Sequence, residues 1–134
     1  MMISTRGRYA LRVLTDMAEH GGDEYLPLKA IAARQDISLK YLESIMAVLS
    51  KAGMVDSVQG KGGGYRLNRP LSQYRVGDIL RETEGSLAPV TCLEENGEPC
   101  CRASTCRTLP VWDRLNALVN DYLDGISLAD LVEN

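Results

Sequence analysis

The sequence predicts a mainly α fold with a small β-hairpin wing: a winged helix-turn-helix followed by a long C-terminal dimerisation helix. Three observations carry this expectation. Two short amphipathic segments are joined by the tight turn "QDIS"; the stretch "MVDSVQGKGGGYRLNRP" behind them alternates apolar and polar residues around a glycine-rich centre; and Val111 to Leu123 holds an apolar stripe at helical spacing. At 134 residues the chain has one domain's worth of sequence, enough to bury a core without disulfides.

The first helix is expected over Ser4–His20. Tyr9, Leu11, Val13, Leu14, Met17 and Ala18 recur at mainly helical spacing, Ser4 or Thr5 can cap the start, and Gly21-Gly22 stops it. A second helix is expected from about Leu28 to Gln35, with Pro27 suited to its first turn. The third begins at Ser38 as N-cap, carries Leu39, Leu42, Ile45, Met46 and Leu49 as its apolar stripe, and ends at Gly53. The wing follows, with Val55 and Val58 on one arm, a break at Gly60, and Tyr65 and Leu67 on the other before Pro70. Its glycines free the tip backbone for close approach to another surface, and Lys61 adds charge there. "GKGGGY" matches neither the G-x-x-x-x-G-K-[ST] phosphate cradle nor the strand-to-helix context of G-x-G-x-x-G, so a nucleotide-binding loop is disfavoured; a plain tight turn is the other reading. In the last helix, Val111, Leu115, Leu118, Val119, Tyr122 and Leu123 form a stripe for which so small a chain has little core left, so a second subunit is the expected cover. Trp112 reads as a core or interface anchor.

Charge divides the chain. Residues 25–75 hold eight Lys or Arg against Asp36, Glu43 and Asp56, a net of +5, whereas the segment from Val76 onward holds four arginines against eleven carboxylates, a net of −7. A basic middle is the electrostatic footprint of a polyanion partner, and the acidic tail serves another purpose. Nothing at the N-terminus reads as a signal peptide, because Arg6, Arg8 and Arg12 interrupt its apolar positions, and no apolar run approaches a membrane span of roughly 20 residues. A cytoplasmic protein without membrane association is expected. In such a reducing compartment the four cysteines, Cys92, Cys100, Cys101 and Cys106, point to metal binding or redox sensing sooner than to a structural staple.

Taken as an ordered set, "STRGRYALRVLTDMA", "ISLKYLESIMAVLSKAGMVDSVQGKGGGYRL", "VGDILRETEG" and "VWDRLNALVNDYLDGISLADLV" resemble the Rrf2 family of bacterial transcription regulators essentially end to end. The resemblance implies a winged helix-turn-helix unit over residues 1–85, a cysteine-rich sensor loop over 86–110, and a dimerisation helix and tail over 111–134. It also implies a homodimer on double-stranded DNA with a pseudo-palindromic operator, its two recognition helices entering successive major grooves about 34 Å apart.

Within that frame the exposed start of the recognition helix, Ser38, Lys40, Tyr41, Glu43 and Ser44, is expected to reach bases or phosphates. Tyr41 and Ser38 suit phosphate oxygens, Lys40 a phosphate or guanine, and Glu43 a cytosine amino group, with discrimination more than affinity as its effect. The resemblance adds Ser4, Thr5, Arg6, Arg8 and Tyr9 near the backbone, and places the wing tip, Gln59, Gly60, Lys61, Gly62 and Gly63, along the minor groove. Some relatives carry an arginine where this chain has Gln59.

Cys92, Cys100 and Cys106 fit the three-thiolate pattern of the cluster-binding members, and thiolates are soft ligands suited to an iron-sulfur cluster (2Fe-2S or 4Fe-4S) or to zinc. The histidine that some relatives use as fourth ligand is Leu109 here, and the acidic residue that others supply from a partner's first helix is Arg8. Cys101, Glu94, Glu95, Glu98 or a small exogenous molecule are the remaining candidates for that position. His20 reads as a local helix cap. The favoured reading is a DNA-binding regulator switched by a cluster on the Cys92–Cys106 loop. A metal-free thiol/disulfide switch, structural zinc and control by a protein partner are the alternatives. A thiol-dependent enzyme or electron carrier comes last, since the chain has no C-x-x-C and no histidine near a cysteine.

Overall fold

The computed structural model describes residues 3–94, 100 and 102–133. Its elements follow the order α1 (Thr5–His20), α2 (Leu28–Gln35), α3 (Leu39–Lys51), β1 (Val55–Val58), β2 (Gly64–Leu67), α4 (Val76–Glu84), α5 (Leu109–Asp124) and α6 (Leu128–Val132), with short 3-10 turns at Leu71–Gln73 and Thr91–Leu93.

The helix ends obey local chemistry. Ser4 caps α1 by accepting from the Gly7 amide, and Ser38 caps α3 by accepting from the Tyr41 amide at 3.2 Å. Pro27, which has no N–H to leave unpaired, is the N-cap of α2 instead of its first-turn residue. Asp36 closes α2 in the left-handed conformation, φ 53°, and the chain turns into α3 within three residues.

One core collects the inward stripes: Ala10, Val13, Leu14 and Met17 of α1, Ile31 of α2, and Leu42, Ile45, Met46 and Leu49 of α3, joined by Val55, Tyr74 and Ile79. Each of the Val, Leu, Ile and Met side chains among them contributes roughly 1.5–3 kcal/mol of burial, which far exceeds what propensity alone gives helices this short. Leu39, expected on the same stripe, is 38% exposed because it sits at the first position of α3, before the helix passes over the core.

Asp16, buried on the inner side of α1, receives Arg34 Nε at 2.9 Å, Arg34 Nη2 at 2.7 Å and Gln35 Nε2 at 2.9 Å, which fixes α1 against α2. Burial by itself would raise the Asp16 pKa, but these hydrogen bonds, with the charges of Arg34 and His20, hold the carboxyl below its ordinary value. His20 caps its own helix, its Nδ1 lying 2.9 Å from the Asp16 carbonyl oxygen.

β1 and β2 pair antiparallel, Val55 opposite Leu67 and Val58 opposite Gly64, and form the wing. Gly60 and Gly62 take φ of 93° and 80° at its tip. Gly64 serves a different need: the segment before α2 pairs with β2 through Leu26 and Tyr65, and a Cβ at Gly64 would strike the Leu26 carbonyl.

The second half of the chain folds back. The Val76 amide donates to the Ile126 carbonyl and the Leu128 amide to the Tyr74 carbonyl, both at 2.9 Å, and Leu128 of α6 is fully buried in the first core. A smaller cluster of Val76, Leu80 and Leu87 packs with Ile3, Leu11, Leu123 and Ile126 where α1, α4 and α5 meet. No residue of α5 is buried. Val111 is 57% exposed, Leu115 37%, Leu118 50% and Tyr122 70%, an apolar seam with spacings of four, three and four residues on a helix whose own subunit leaves it uncovered. Among the described residues no helix is long and apolar enough to cross a membrane.

Candidate nucleic-acid interface

The burial pattern of α3 settles which of its side chains face outward. Because Leu42, Ile45, Met46 and Leu49 point into the core, the 3.6-residue period turns Lys40, Glu43, Ser44 and Ala47 to the opposite side, where all four are exposed. Ser38 is exposed at the cap, and Ser44 Oγ folds back onto the Tyr41 carbonyl at 2.6 Å. Tyr41 is half-buried, its ring packed against Tyr9 of α1 at a centroid separation of 5.9 Å. This contact joins the two groups of residues expected from the sequence. At the start of α1, Thr5, Arg6 and Arg8 are exposed, with Arg8 Nη2 donating to Thr5 Oγ1 at 3.2 Å, and Ser4 is half-buried as the cap. On the wing, Gln59, Gly60, Lys61 and Gly62 are exposed and Gly63 is half-buried.

Arg12 was not singled out by sequence reasoning. Its guanidinium lies 4.7 Å from the Tyr9 ring centre, donates from Nε to Gln35 Oε1 at 3.2 Å, and bonds the Gln35 carbonyl through Nη2. It locks α1 to the turn of the helix-turn-helix beside the Tyr9–Tyr41 pair. Its position one turn after Arg8 was the available signal.

The helix-turn-helix, its wing, an exposed polar and basic face and an uncovered apolar helix now stand together, and the comparisons with known proteins agree with them. The Rrf2 family, described as "Iron-dependent Transcriptional regulator", matches residues 3–134. The chain belongs to the Rrf2 family. It is 42% identical over 135 residues to protein rrf2 of Nitratidesulfovibrio vulgaris, covering 100% of this chain and 89% of that one. Its structure resembles T. potens IscR with a TM-score of 0.78 at 38% identity, over 99% of this chain and 87% of the other. It also resembles CymR, described as the global cysteine regulator of B. subtilis, with a TM-score of 0.79 at 36% identity over 99% and 97%. Like other Rrf2-family members the chain is a DNA-binding transcription regulator and not an enzyme, and the open seam on α5 is the face a homodimer needs.

The cysteine segment departs from the expected arrangement. Cys92 sits half-buried on the turn Thr91–Leu93 against α5, Cys100 is exposed, and Cys106 is half-buried just ahead of α5. All three are free thiols, and among the described residues no three Cys, His, Asp or Glu side chains are placed to hold one metal ion. Cys92 sits on a turn that packs against α5, and Cys106 contacts Thr108 Oγ1 at 3.3 Å just before α5 starts. Among the described residues Cys92, Cys100 and Cys106 are not gathered into one three-thiolate centre. Cys101, Glu95 and Glu98, named as further ligand candidates, lie outside the described residues; Glu94 is half-buried beside a cleft of about 380 Å³ between α4, the following loop and α5. The Thr108 hydroxyl, with the Thr108 and Leu109 amides, holds the Cys106 pKa below its ordinary value.

Proposed function

We propose that this Rrf2-family chain is a cytoplasmic homodimer that binds a pseudo-palindromic operator, and that thiol chemistry on its cysteine segment sets operator affinity without a metal. In this reading residues 1–85 form the DNA-binding unit, 86–110 the sensor and 111–134 the dimerisation helix and tail. Lys40, Glu43 and Ser44 face the major groove, Tyr41 and Ser38 the phosphates beside it, and Ser4, Thr5, Arg6, Arg8 and Tyr9 the adjacent backbone. Gln59, Gly60, Lys61, Gly62 and Gly63 approach the minor groove. The observation that carries the DNA part is the single outward stripe of Lys40, Glu43 and Ser44 continued onto α1 through the Tyr9–Tyr41 contact.

The sensor part is supported by Cys92, Cys100 and Cys106 not being gathered into one ligand set among the described residues, by the exposure of Cys100, and by the lowered pKa of Cys106. A hydroperoxide can oxidise one thiolate by two electrons to a sulfenic acid, releasing an alcohol or water; a second thiol then attacks that sulfur, forming a disulfide and expelling water. Cys100 or Cys101 with Cys106 is the pair this reading uses, Cys100 and Cys106 lying among the described residues. The bond would draw the exposed turn toward the start of α5 and so shift the dimer helix.

A second reading keeps the iron-sulfur cluster. The family's description as iron-dependent and the likeness to IscR favour it, and Cys92, Cys100 and Cys106 with a further ligand would have to move together to hold it.

One experiment separates the two. The protein is purified without oxygen, its iron, sulfide and visible spectrum are recorded, and its affinity for a duplex that it selects from a random library is measured before and after peroxide. The thiol reading expects no iron and an affinity change of about tenfold or more that dithiothreitol reverses and Cys106→Ser abolishes. Matched iron and sulfide, with DNA binding unresponsive to peroxide in the iron-free protein, would overturn it in favour of the cluster.

A further inference from the structure

Glu84, the last residue of α4, stands eighty residues from the start of α1 in sequence but against it in space. Its Oε1 accepts from the Ser4 amide at 2.9 Å and from Ser4 Oγ at 2.6 Å, and Ser4 Oγ in turn accepts from the Gly7 amide at 3.2 Å. A helix N-terminus leaves its first amides unpaired and carries partial positive charge, so a carboxylate held there both completes the cap and fixes the axis end. Gly7 is buried and must be glycine for this contact: a Cβ there would fall inside the Glu84 carboxylate. Immediately after Glu84 the chain turns at Gly85, φ 84°, and Leu87 enters the small cluster shared with Ile3 and Leu123. The first turn of α1 is thus tied to the end of α4, and the chain just beyond that end packs, through Leu87, with Ile3 and with Leu123 of α5.

We propose that Glu84 is a positioning residue for operator binding: its bonds to Ser4 hold the first turn of α1 where Thr5, Arg6 and Arg8 meet phosphates. This rests on the DNA-contact reading above. Releasing Glu84 lets that turn fray and pulls its side chains off the phosphates, while the core, built elsewhere, persists. Every phosphate no longer neutralised lowers the salt slope of log K by about 0.9, so one phosphate fewer per protomer lowers the dimer's slope by about 2.

The test uses the full-length dimer and the duplex selected by the wild-type protein, with affinity measured across a salt series. Glu84→Ala should raise Kd about tenfold or more and lower the salt slope, whereas Glu84→Gln, which keeps an acceptor oxygen, should stay within about threefold. Gly7→Ala gives an independent arm, because its Cβ displaces the Glu84 carboxylate from Ser4: a purely structural role predicts lower thermal stability with unchanged binding by the folded protein, while the positioning role predicts weakened binding and a lower salt slope. Should Glu84→Ala fail to fold, Gly7→Ala decides. Kd and slope within twofold of wild type in folded Glu84→Ala and Gly7→Ala would overturn the proposal. Arg8→Ala and Lys40→Ala serve as controls: if both bind like wild type, or if no duplex is selected at all, the contact reading falls and this proposal with it.

Discussion

Replacing Leu118 and Tyr122 together by alanine should separate the dimer. In the isolated subunit Leu118 is 50% exposed and Tyr122 70% exposed. Half a leucine corresponds to about 1 kcal/mol of burial, and seven-tenths of a tyrosine side chain of about 200 Å² is about 140 Å², or about 3.5 kcal/mol at 25 cal/mol per Å². Alanine retains part of this, so the loss is about 4 kcal/mol per protomer and about 8 kcal/mol per symmetric dimer if the seam is fully covered. Even a third of that figure, about 2.7 kcal/mol, raises the dimer dissociation constant about a hundredfold. Neither side chain belongs to the buried core, so the monomer should remain folded. Sedimentation velocity from nanomolar to high-micromolar protein reads the constant directly, with circular dichroism as the control for folding. A double variant that dimerises within threefold of wild type would refute the assignment of α5 as the interface.

Three further outcomes follow from individual side chains. Tyr74→Phe removes a hydroxyl that donates to the Met54 carbonyl at 2.7 Å and accepts from the Asn68 amide at 2.9 Å; it should cost about 2 kcal/mol, seen as a melting temperature lower by about 6–10 °C. Asp16 has a lowered folded-state pKa, so its stabilisation is fully present above the unfolded-state value near 3.9 and is lost as pH falls through the folded value. Urea midpoints should therefore drop below about pH 4 in the wild type, and Asp16→Asn should be weaker at pH 7 and less sensitive to acid. Cys106, whose pKa is lowered, should alkylate with iodoacetamide at a lower pH than an ordinary cysteine thiol, and Thr108→Ala should shift its rate profile upward, as peptide mass spectrometry can follow.

The elements that were legible in the sequence are those whose signals are local. Ser4 and Ser38 as caps, the stripes of α1 and α3, and the glycine-broken alternation of the wing all depend on neighbours within a few residues. α5 was legible for the opposite reason: its stripe had no counterpart in the chain, and the structure leaves it exposed. α4 and α6 were not assigned from periodicity. Nine and five residues respectively give too few turns to show a period, and what stabilises them is non-local: Leu128 in a core built by α1 and α3, and the Tyr74–Leu128 and Val76–Ile126 backbone bonds. The outward residues of α3 could be named because the inward ones could. Arg12 left only the faint signal of lying one turn after Arg8, and Glu84 left none, since its partner is 80 residues away. The cysteines mark the other boundary. Four within fifteen residues suggested one centre, and among the described residues they are not gathered into one, because proximity in sequence does not by itself fold a loop around a shared point.

The central claim is that two copies of this chain present α3 and the first turn of α1 to one operator. Hydroxyl-radical footprinting of the reduced dimer on its selected duplex tests it most directly. The account predicts two symmetric protected patches whose centres lie about one helical turn, 10–10.5 base pairs, apart or a multiple of it, with the flanking protection weakened in Arg8→Ala. A single asymmetric patch, or protection unchanged by alanine at Lys40, Glu43 and Arg8 together, would contradict it.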